Sequence, residues 1–421
     1  MTSMTKKETD ARCVAVIGGG AAGMMAAIHA SYMGAEVTLF ERNDRLGKKL
    51  RITGKGRCNL TNNCELNEFL SNVPTNSRFL YASLSRFSTA DTMDFFENAG
   101  VPLKTERGKR VFPQSDKAGD IVAALDKLCR SNGVSVVNRR VDGLLLEEGR
   151  VTGVRYGNTE EFFDAVIVCT GGRSYPMTGS DGDGYRMARE VGHTVTALHP
   201  SLVPILAEGS LCASLQGLSL KNVALRVKDT QTGKTVYEDF GEMLFTHYGL
   251  TGPMILSASA HLSDIRPGKY EALIDLKPAL DEKQLDARIL SDFGKYRNRD
   301  FVNALDDLLP QKLIEPFVRL CGIDPRKKVH SVTREERERM VSTLKGIAVR
   351  LKGFRPIDEA IITRGGVSVK EIDPKTMQSK LVKGLYFAGE VLDVDAYTGG
   401  FNLQIAFSTA VLAGEAAAMW D

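Results

Sequence analysis

Three glycines near the start of the chain, Gly18, Gly20 and Gly23, stand in G-x-G-x-x-G spacing within VIGGGAAG. That spacing suits a diphosphate. The first glycine lets the chain turn, the second lets a pyrophosphate reach the backbone, and the third lets a helix pack close to a strand. Ala21, Ala22 and Gly23 would then offer free N–H groups at the positive end of a helix. Glu41, 23 residues after Gly18, is placed to accept hydrogen bonds from ribose hydroxyls. It would repel a 2′-phosphate, which disfavours NADP here; the plainer alternative is a solvated strand end. Residues 42–63, RNDRLGKKLRITGKGRCNLTNN, are glycine-rich, with Lys48, Lys49, Arg51, Lys55 and Arg57 among the cations. A structureless loop this long is usually functional. It could lie along the pyrophosphate and a redox ring beyond it, or be a solvated basic loop. Cys58 and Cys64 invite a redox pair, but C-x5-C spacing marks neither thiol as activated, and buried or incidental thiols are the plainer reading. His247 in FTHYGLTGP is a candidate general acid, set against the commoner structural role of a lone histidine.

These residues need elements to hold them. Val14–Ile17 reads as a strand, Ala21–Met33 as a helix and Glu36–Phe40 as a second strand ending at Glu41. Helical patterns follow at 76–87, 89–99 and 117–131. Val134–Val137 should rejoin a parallel sheet. Val141–Glu147, Val151–Tyr156 and Glu160–Phe163 read as an antiparallel meander. Ala165–Cys169 is a buried strand ending in Thr170-Gly171-Gly172. Near the other end, Gly384–Ala388 is an apolar strand running into Gly389-Glu390, and Phe401–Met419 has helical periodicity. Between lies an insert. Strand patterns at Leu202–Ala207, Asn222–Lys228, Thr235–Phe240 and Tyr270–Leu276 predict a β-rich part. Residues 278–347 are helical by period, with the solvated run TREERERM. The domains expected are therefore 1–194 and 350–421 together, a β-rich insert 195–277 and a helical insert 278–349.

Composition excludes much. With 43% hydrophobic and 25% charged residues the chain is neither disordered nor fibrous. A net charge of +3 does not demand a nucleic-acid partner. The start, residues 1–11, reads as a polar tail rather than a signal peptide. No 18-residue window is apolar throughout, so no membrane partner is expected. Seven scattered cysteines fit reduced thiols in a cytoplasm, and metal-ligand spacing is absent. No second glycine unit follows a strand, since GSDGDG at 179–184 lacks one. Any nicotinamide donor, NAD(P)H, would therefore dock transiently rather than occupy a resident domain, or the redox partner is something else.

The order of elements resembles the FAD domain of two-dinucleotide, glutathione-reductase-like flavoproteins: strand–turn–helix, acidic strand end, meander crossover, buried strand ending in T-G-G. In that fold the first meander strand sets the Val141 backbone against the adenine, and the T-G-G turn passes near the glycine loop. A late strand delivers an acidic residue, here Glu390, to the ribitol. The following helix points its N-terminus at the flavin N1 and C2 carbonyl, where reduced flavin carries negative charge. Gly399 and Gly400 permit that approach.

LGKKLRITGKGRCNLTN, RVFPQSDKA, VIVCTGGRSYPMTGSDGDGY, HPSLVPI, LFTHYGLTGP, TRGGVSV and GLYFAGEVLDVDAYTGGFNLQIAFSTA together resemble a bacterial family of FAD-binding oxidoreductases. That family includes 3-dehydro-bile acid reductases and aminoacetone oxidase, and the resemblance runs from Val14 to Gly414. It implies an α/β, Rossmann-like FAD domain with an inserted β-barrel-like domain and a helical domain. The cofactor residues it implies, beside those above, are Arg42, Thr53, Gly54, Gly56, Cys58, Asn59, Asp393, Phe401, Asn402 and Leu403. Ala396 stands where the family usually has glycine, and Phe401 where tyrosine is common. The family's reactions differ, so fold and cofactor do not fix the substrate. The expected activity is reduction, by an NADH-reduced flavin, of a carbon–carbon double bond conjugated to a carbonyl in a small molecule such as a 3-oxo bile acid. Hydride goes to the β carbon and a proton to the α carbon, with His247, Tyr397 and Cys58 as candidate acids. An amine oxidase and an enzyme reducing uridine in ribosomal RNA are the alternatives, the latter using basic faces near 42–57 and 326–352.

Overall fold

Five short apolar segments pair into one parallel sheet in the computed structural model, which describes residues 11–262 and 264–419. The strand order is Leu385–Phe387, Ala165–Val168, Cys13–Ile17, Glu36–Phe40, Ser135–Val137, and each neighbouring pair is parallel. Val14 lies opposite Ala165 on one side and Val37 on the other. Ala165–Val168 is buried at every position, as a parallel strand covered on both faces must be. Of the expected tail at 1–11, all but Ala11 lies outside the described residues.

Helix Ala21–Tyr32 follows the first strand directly. It packs against the last helix, Phe401–Ala418. Both are rich in small apolar residues and buried on most of their surface, which is why neither shows the polar stripe of a surface helix. Gly414 sets their separation: a Cβ there would stand 2.4 Å from the Ala26 carbonyl oxygen. Met24 and Met25 of the first helix are fully buried, and each contributes roughly 2 kcal/mol by burial. The meander, Gly143–Glu147, Arg150–Tyr156 and Thr159–Phe162, is antiparallel throughout. The glycine turn, parallel sheet and meander make this a Rossmann-type layout.

The run 42–63 is more ordered than its sequence suggests. It contains a 3-10 segment, Leu50–Gly56, and a two-residue strand, Thr61–Asn62. That strand pairs with Arg110–Pro113, which pairs in turn with Leu103–Glu106. The helical pattern at 76–87 divides into a 3-10 turn, Ser77–Leu80, and a short helix, Tyr81–Arg86.

The chain separates into two units: residues to Ser201 with those from Ala360, and Leu202–Glu359. The junctions fall at 201/202 and 359/360, later than the expected 194/195 and 349/350. The first lies later because Val195 bridges Val367 and His199–Ser201 pairs with Ile362–Arg364, so both segments belong to the first unit. The second lies later because Ile347–Phe354 is a strand of the other unit.

That unit is a closed six-stranded antiparallel barrel. Its strands, in order around the barrel, are Ile205–Ala207, Gly249–Thr251, Thr235–Phe245, Ser219–Asp229, Tyr270–Asp275 and Ile347–Phe354. Strand Ile347–Phe354 alternates buried and exposed along most of its length and closes the ring. Helices Glu282–Lys295, Gln311–Cys321 and Arg334–Lys345 share one apolar cluster with the barrel, Ile289, Phe317 and Met340 joining Leu225 and Ile274. The β-rich and helical inserts expected separately thus have a common core. Capping boxes at Asp281–Gln284 and Thr333–Glu336 start two of the helices.

Candidate cofactor site

The glycines of the opening turn differ in what surrounds them. Gly18 has φ +103°, and a Cβ there would stand 2.6 Å from the Cys169 carbonyl oxygen. A Cβ at Gly23 would stand 1.7 Å from the Gly18 carbonyl oxygen. Gly20 has nothing within 4 Å of that position. Gly18 and Gly23 are thus fixed by the protein's own backbone, whereas Gly20 faces open space. Helix Ala21–Tyr32 begins there with no side-chain cap and no acidic residue in its first turn. Its first N–H groups lack intrahelical partners, which makes the end a natural anion site.

Glu41 is buried, at 7% exposure, and is no solvated strand end. One carboxylate oxygen accepts from the Gly19 N–H at 2.7 Å. The other accepts from the Asn43 N–H at 2.8 Å and its side-chain amide at 2.6 Å. The carboxylate therefore braces the glycine loop from the end of the second strand.

The C-terminal segment reaches the same turn. At Gly389, φ is +79°, and a Cβ would stand 2.8 Å from the Ala22 Cβ. Next to it, Glu390 accepts from Lys49 Nζ at 2.8 Å, from Ser174 Oγ at 3.1 Å and from the Thr363 N–H at 2.9 Å. Lys49 also donates to Ser174 Oγ at 2.7 Å. Gly172 closes this cluster, since a Cβ there would lie 2.7 Å from a Glu390 oxygen. Gly171 has φ +73° and packs on Ser180.

A second helix start is prepared in the same way. Helix Phe401–Ala418 opens at Gly400, φ +99°, without a side-chain cap or an acidic first turn. A Cβ at Gly400 would stand 2.3 Å from the Thr61 carbonyl oxygen. Thr61 Oγ1 donates to Gln404 Oε1, and Asn62 donates to the Gly399 carbonyl at 3.0 Å. The segments GKGRCNLTN and GGFNLQ, separated by more than 300 residues, are thus one structure. The Asn402 side chain bonds the Ala396 N–H at 3.0 Å and carbonyl at 2.8 Å, which fixes the loop before the helix. Phe401 is buried edge-on to Phe69 at 5.1 Å, and Leu403 is half-buried.

Other expected site residues are engaged elsewhere. Arg57 pairs with Glu106 and Asp116 and lies 4.2 Å over the Phe112 ring. Arg42 pairs with Asp181 and Asp183, so the GSDGDG segment serves as a carboxylate partner. Lys48 donates to Asn43 at 3.4 Å. Thr53 Oγ1 bonds the Leu50 carbonyl at 2.7 Å. Lys55 and Gly56 have positive φ, as does Gly54, whose Cβ would press on the Asn59 N–H at 3.1 Å. Val141 is buried just ahead of the meander's first strand rather than in it. Burial holds the Asp393 carboxyl above the usual range. Arg51 Nε, Asn59 Oδ1 and Thr170 Oγ1 are buried polar atoms without a hydrogen-bond partner.

Of the candidate acids, Cys58 is fully buried with φ +59°, and burial pushes its thiol up to about 12. Cys64 is pushed up to about 11 for the same reason. Both are free thiols, and neither is activated. Tyr397 is half-buried, its N–H bonded to the Asn72 carbonyl at 3.0 Å. Burial, and then the nearby Asp395 charge, raises its phenol above the ordinary value. His247 belongs to the barrel unit. It is exposed in the turn after Thr235–Phe245, against the Tyr248 ring at 4.9 Å. Ser174, Thr363, Asn43 and Asp395 were not singled out from the sequence. RSYP and TRGG contain two of them, but their partners lie far along the chain.

Two helix N-termini without caps or first-turn acids, an open Gly20, a braced Glu41 and the Glu390 cluster fit an adenosine diphosphate at one end and a flavin ring at the other. Comparison with known proteins agrees. Residues 12–416 match the HI0933-like protein Rossmann domain family, and the chain belongs to that family of FAD-dependent oxidoreductases. It is 31% identical over 425 residues to the 3-dehydro-bile acid delta(4,6)-reductase of Clostridium scindens, covering 96% of this chain and 98% of that protein. It is also 31% identical over 397 residues to the ribosomal RNA dihydrouridine synthase of Escherichia coli, covering 94% and 95%. Its fold resembles the 3-ketosteroid-delta4-(5alpha)-dehydrogenase of Rhodococcus jostii RHA1 in complex with 4-androstene-3,17-dione. That likeness has a TM-score of 0.53 at 16% identity and covers 100% of this chain and 99% of that one. Among the described residues, no helix is long and apolar enough to cross a membrane.

Proposed function

We propose that this FAD-dependent oxidoreductase reduces a carbon–carbon double bond conjugated to a carbonyl, with NADH as electron donor and a 3-oxo bile-acid- or steroid-like enone as substrate. The observation that carries this reading is the end-to-end match, at 31% identity, to a protein named as a bile acid reductase. The match to a ribosomal RNA dihydrouridine synthase supports a second substrate, uridine. The two substrates share their chemistry, because the uracil C5=C6 bond is also conjugated to a carbonyl.

Bound FAD supplies the hydride. The chain's residues hold and orient it. The Ala21, Ala22 and Gly23 N–H groups take the diphosphate, Glu41 the ribose and Glu390 the ribitol. The Phe401, Asn402 and Leu403 N–H groups, at the uncapped start of the last helix, would favour negative charge on the ring. Tyr397 is the proton donor of choice over Cys58, whose thiol is fully buried and strongly raised. A nicotinamide donor would dock transiently.

The test is anaerobic. Holoprotein is reduced by NADH, then mixed with a 3-oxo-4,6-diene, with ribosomal RNA lacking dihydrouridine, or with oxygen. The proposal expects the diene to restore the oxidised flavin spectrum and gain two mass units. Reoxidation by RNA with formation of dihydrouridine would establish the second reading. Oxygen as the one effective acceptor would sink both.

A further inference from the structure

The hairpin of Leu103–Glu106 and Arg110–Pro113 carries cations that the cofactor site does not use. Its turn is Arg107–Lys109, and Arg107, Gly108, Lys109 and Arg110 are all exposed. Gly108 and Lys109 both have positive φ, +75° and +59°, which is unusual for a lysine. Bonds from outside the hairpin hold this turn. The Asn63 N–H donates to the Lys109 carbonyl at 2.7 Å, and the Asn62 side-chain amide donates to the Gly108 carbonyl at 3.0 Å. The same Asn62 nitrogen donates to the Gly399 carbonyl at 3.0 Å. Gly399 stands just ahead of helix Phe401–Ala418. One side-chain nitrogen thus joins the basic turn to the end of the site assigned to the flavin ring. The cations differ in what they face. Lys109 is paired with Glu68. Arg110 lies between Asn62 and Glu106 in the small sheet, but Glu106 is held by Arg57. Arg110 Nε donates to the Arg107 carbonyl at 3.1 Å, which orients the guanidinium and leaves its terminal nitrogens open. Among the described residues, neither Arg107 nor Arg110 has a carboxylate partner.

We propose that Arg107 and Arg110 dock the diphosphate of the nicotinamide donor, beside the flavin that it reduces. This rests on the proposed function, in which NADH is the donor. A nicotinamide dinucleotide brings a diphosphate of its own, and the sequence has no second strand–glycine–helix unit to take it. Side chains must then supply the charge, and the guanidinium fork matches phosphate oxygens. The diphosphate lies several bonds from the hydride carbon, so its partners belong beside the ring rather than over it. The hairpin turn meets that requirement through Asn62. The flavin's own diphosphate is assigned to Ala21, Ala22 and Gly23, so it makes no call on these arginines. Nor does a steroid-like enone, whose reacting bond sits in an apolar ring system. The two arginines bind and orient the donor and take no part in the hydride transfer.

Two measurements on the FAD-loaded protein test this. The first is calorimetric binding of NAD+ and of ADP-ribose to the oxidised holoprotein, where nothing turns over. The double variant Arg107→Gln, Arg110→Gln is expected to bind both about tenfold more weakly. In the wild type, raising salt from about 50 to about 500 mM is expected to weaken ADP-ribose binding several-fold. The second is anaerobic stopped-flow reduction of the flavin. The half-saturating NADH concentration should rise about tenfold in the double variant with the limiting rate kept. Reduction by dihydronicotinamide riboside, which carries no phosphate, should not change. Unaltered affinity for NAD+ and ADP-ribose overturns the proposal, and so does salt-insensitive binding by the wild type, which needs no variant to fold. Equal loss with the riboside also overturns it, because the flavin itself would then be disturbed. A double variant that is reoxidised more weakly by RNA while its NADH affinity holds assigns the arginines to the acceptor instead. Wild-type flavin that NADH does not reduce sinks the proposed donor, and this inference with it.

Discussion

Two clusters that join a glutamate, a basic residue and a serine occupy the first unit, and they are built for different ends. In one, Glu390, Lys49 and Ser174 meet with the Thr363 N–H beside Gly172 and Gly389. Lys49 and Glu390 each keep about a fifth of their side-chain surface, 22% and 21%. In the other, His193 Nδ1 lies 3.1 Å from Glu371 and Nε2 lies 2.7 Å from Ser379 Oγ. That arrangement looks like a hydrolytic triad. Yet the His193 side chain is 0% exposed, and Ser379 Oγ already accepts from the Leu381 and Val382 N–H groups at 3.0 and 2.8 Å. With its acceptor capacity filled, the serine hydroxyl is left to donate to the histidine. The second cluster is a brace that holds 371–382 beside strand Leu385–Phe387, with the His193 ring 5.0 Å from Phe387. Residue type does not separate a site from a brace. Access and unfilled hydrogen-bonding capacity do.

The glycine turn offers the harshest way to sharpen that contrast. Gly23→Ala pushes a methyl into the Gly18 carbonyl and should cost about 4 kcal/mol or more, leaving little folded protein. Gly20→Ala, at φ −84° with open space around it, should fold within about 1 kcal/mol of wild type yet bind FAD at least about tenfold more weakly. Apoprotein melts and flavin titrations measure both. Equal damage from the two variants would erase the distinction.

Next in size is the pair Glu390→Gln and Glu371→Gln. The first leaves Lys49 without its carboxylate beside the cofactor. It should weaken FAD by about 10- to 100-fold, the loss of a charge-assisted bond, with a melting temperature near wild type. The second should lower the melting temperature by a few degrees and leave FAD affinity unchanged. If Glu371→Gln loses flavin and Glu390→Gln does not, the roles assigned above are reversed.

The smallest effect is on acid stability. Burial lowers the His193 pKa despite the Glu371 carboxylate, so the unfolded chain binds this proton more readily than the folded one. The brace's contribution is complete above the unfolded value of about 6.5 and is lost as pH falls below it. Glu371, with its own pKa lowered in the fold, adds a loss of the same sign at lower pH. Melting temperature followed from pH 8 to 5 should fall less steeply in His193→Gln than in wild type; parallel curves would remove His193 as the cause.

Legibility followed locality. The glycine turn, the acidic strand end, the meander and the C-terminal helix could be read because each is carried by neighbouring residues with a clear period. The sheet of Thr61–Asn62, Leu103–Glu106 and Arg110–Pro113 could not, since one strand has two residues and the others are rich in charge. Ile347–Phe354 alternates clearly, but it follows directly on a helical run and its ring partners lie more than 70 residues away, so the sequence divided it between the helical insert and the FAD domain. Arg57 read as a ligand-facing cation because Glu106 and Asp116, which hold it, lie 49 and 59 residues away. Asp395 was hidden differently: nothing in DVDAY tells which of two aspartates is buried.

The barrel unit leaves the first unit at Ser201 and its chain returns through Ile362, and these two residues are opposite each other in the antiparallel pair His199–Ser201 with Ile362–Arg364. An excursion of some 160 residues therefore begins and ends at one rung of a ladder. Joined by a two-residue turn, the same two strands would be an ordinary β-hairpin. Evolution can thus exchange or reshape the whole excursion as a cassette, and a shortened gene lacking it would leave the flavin-holding half with no gap to bridge.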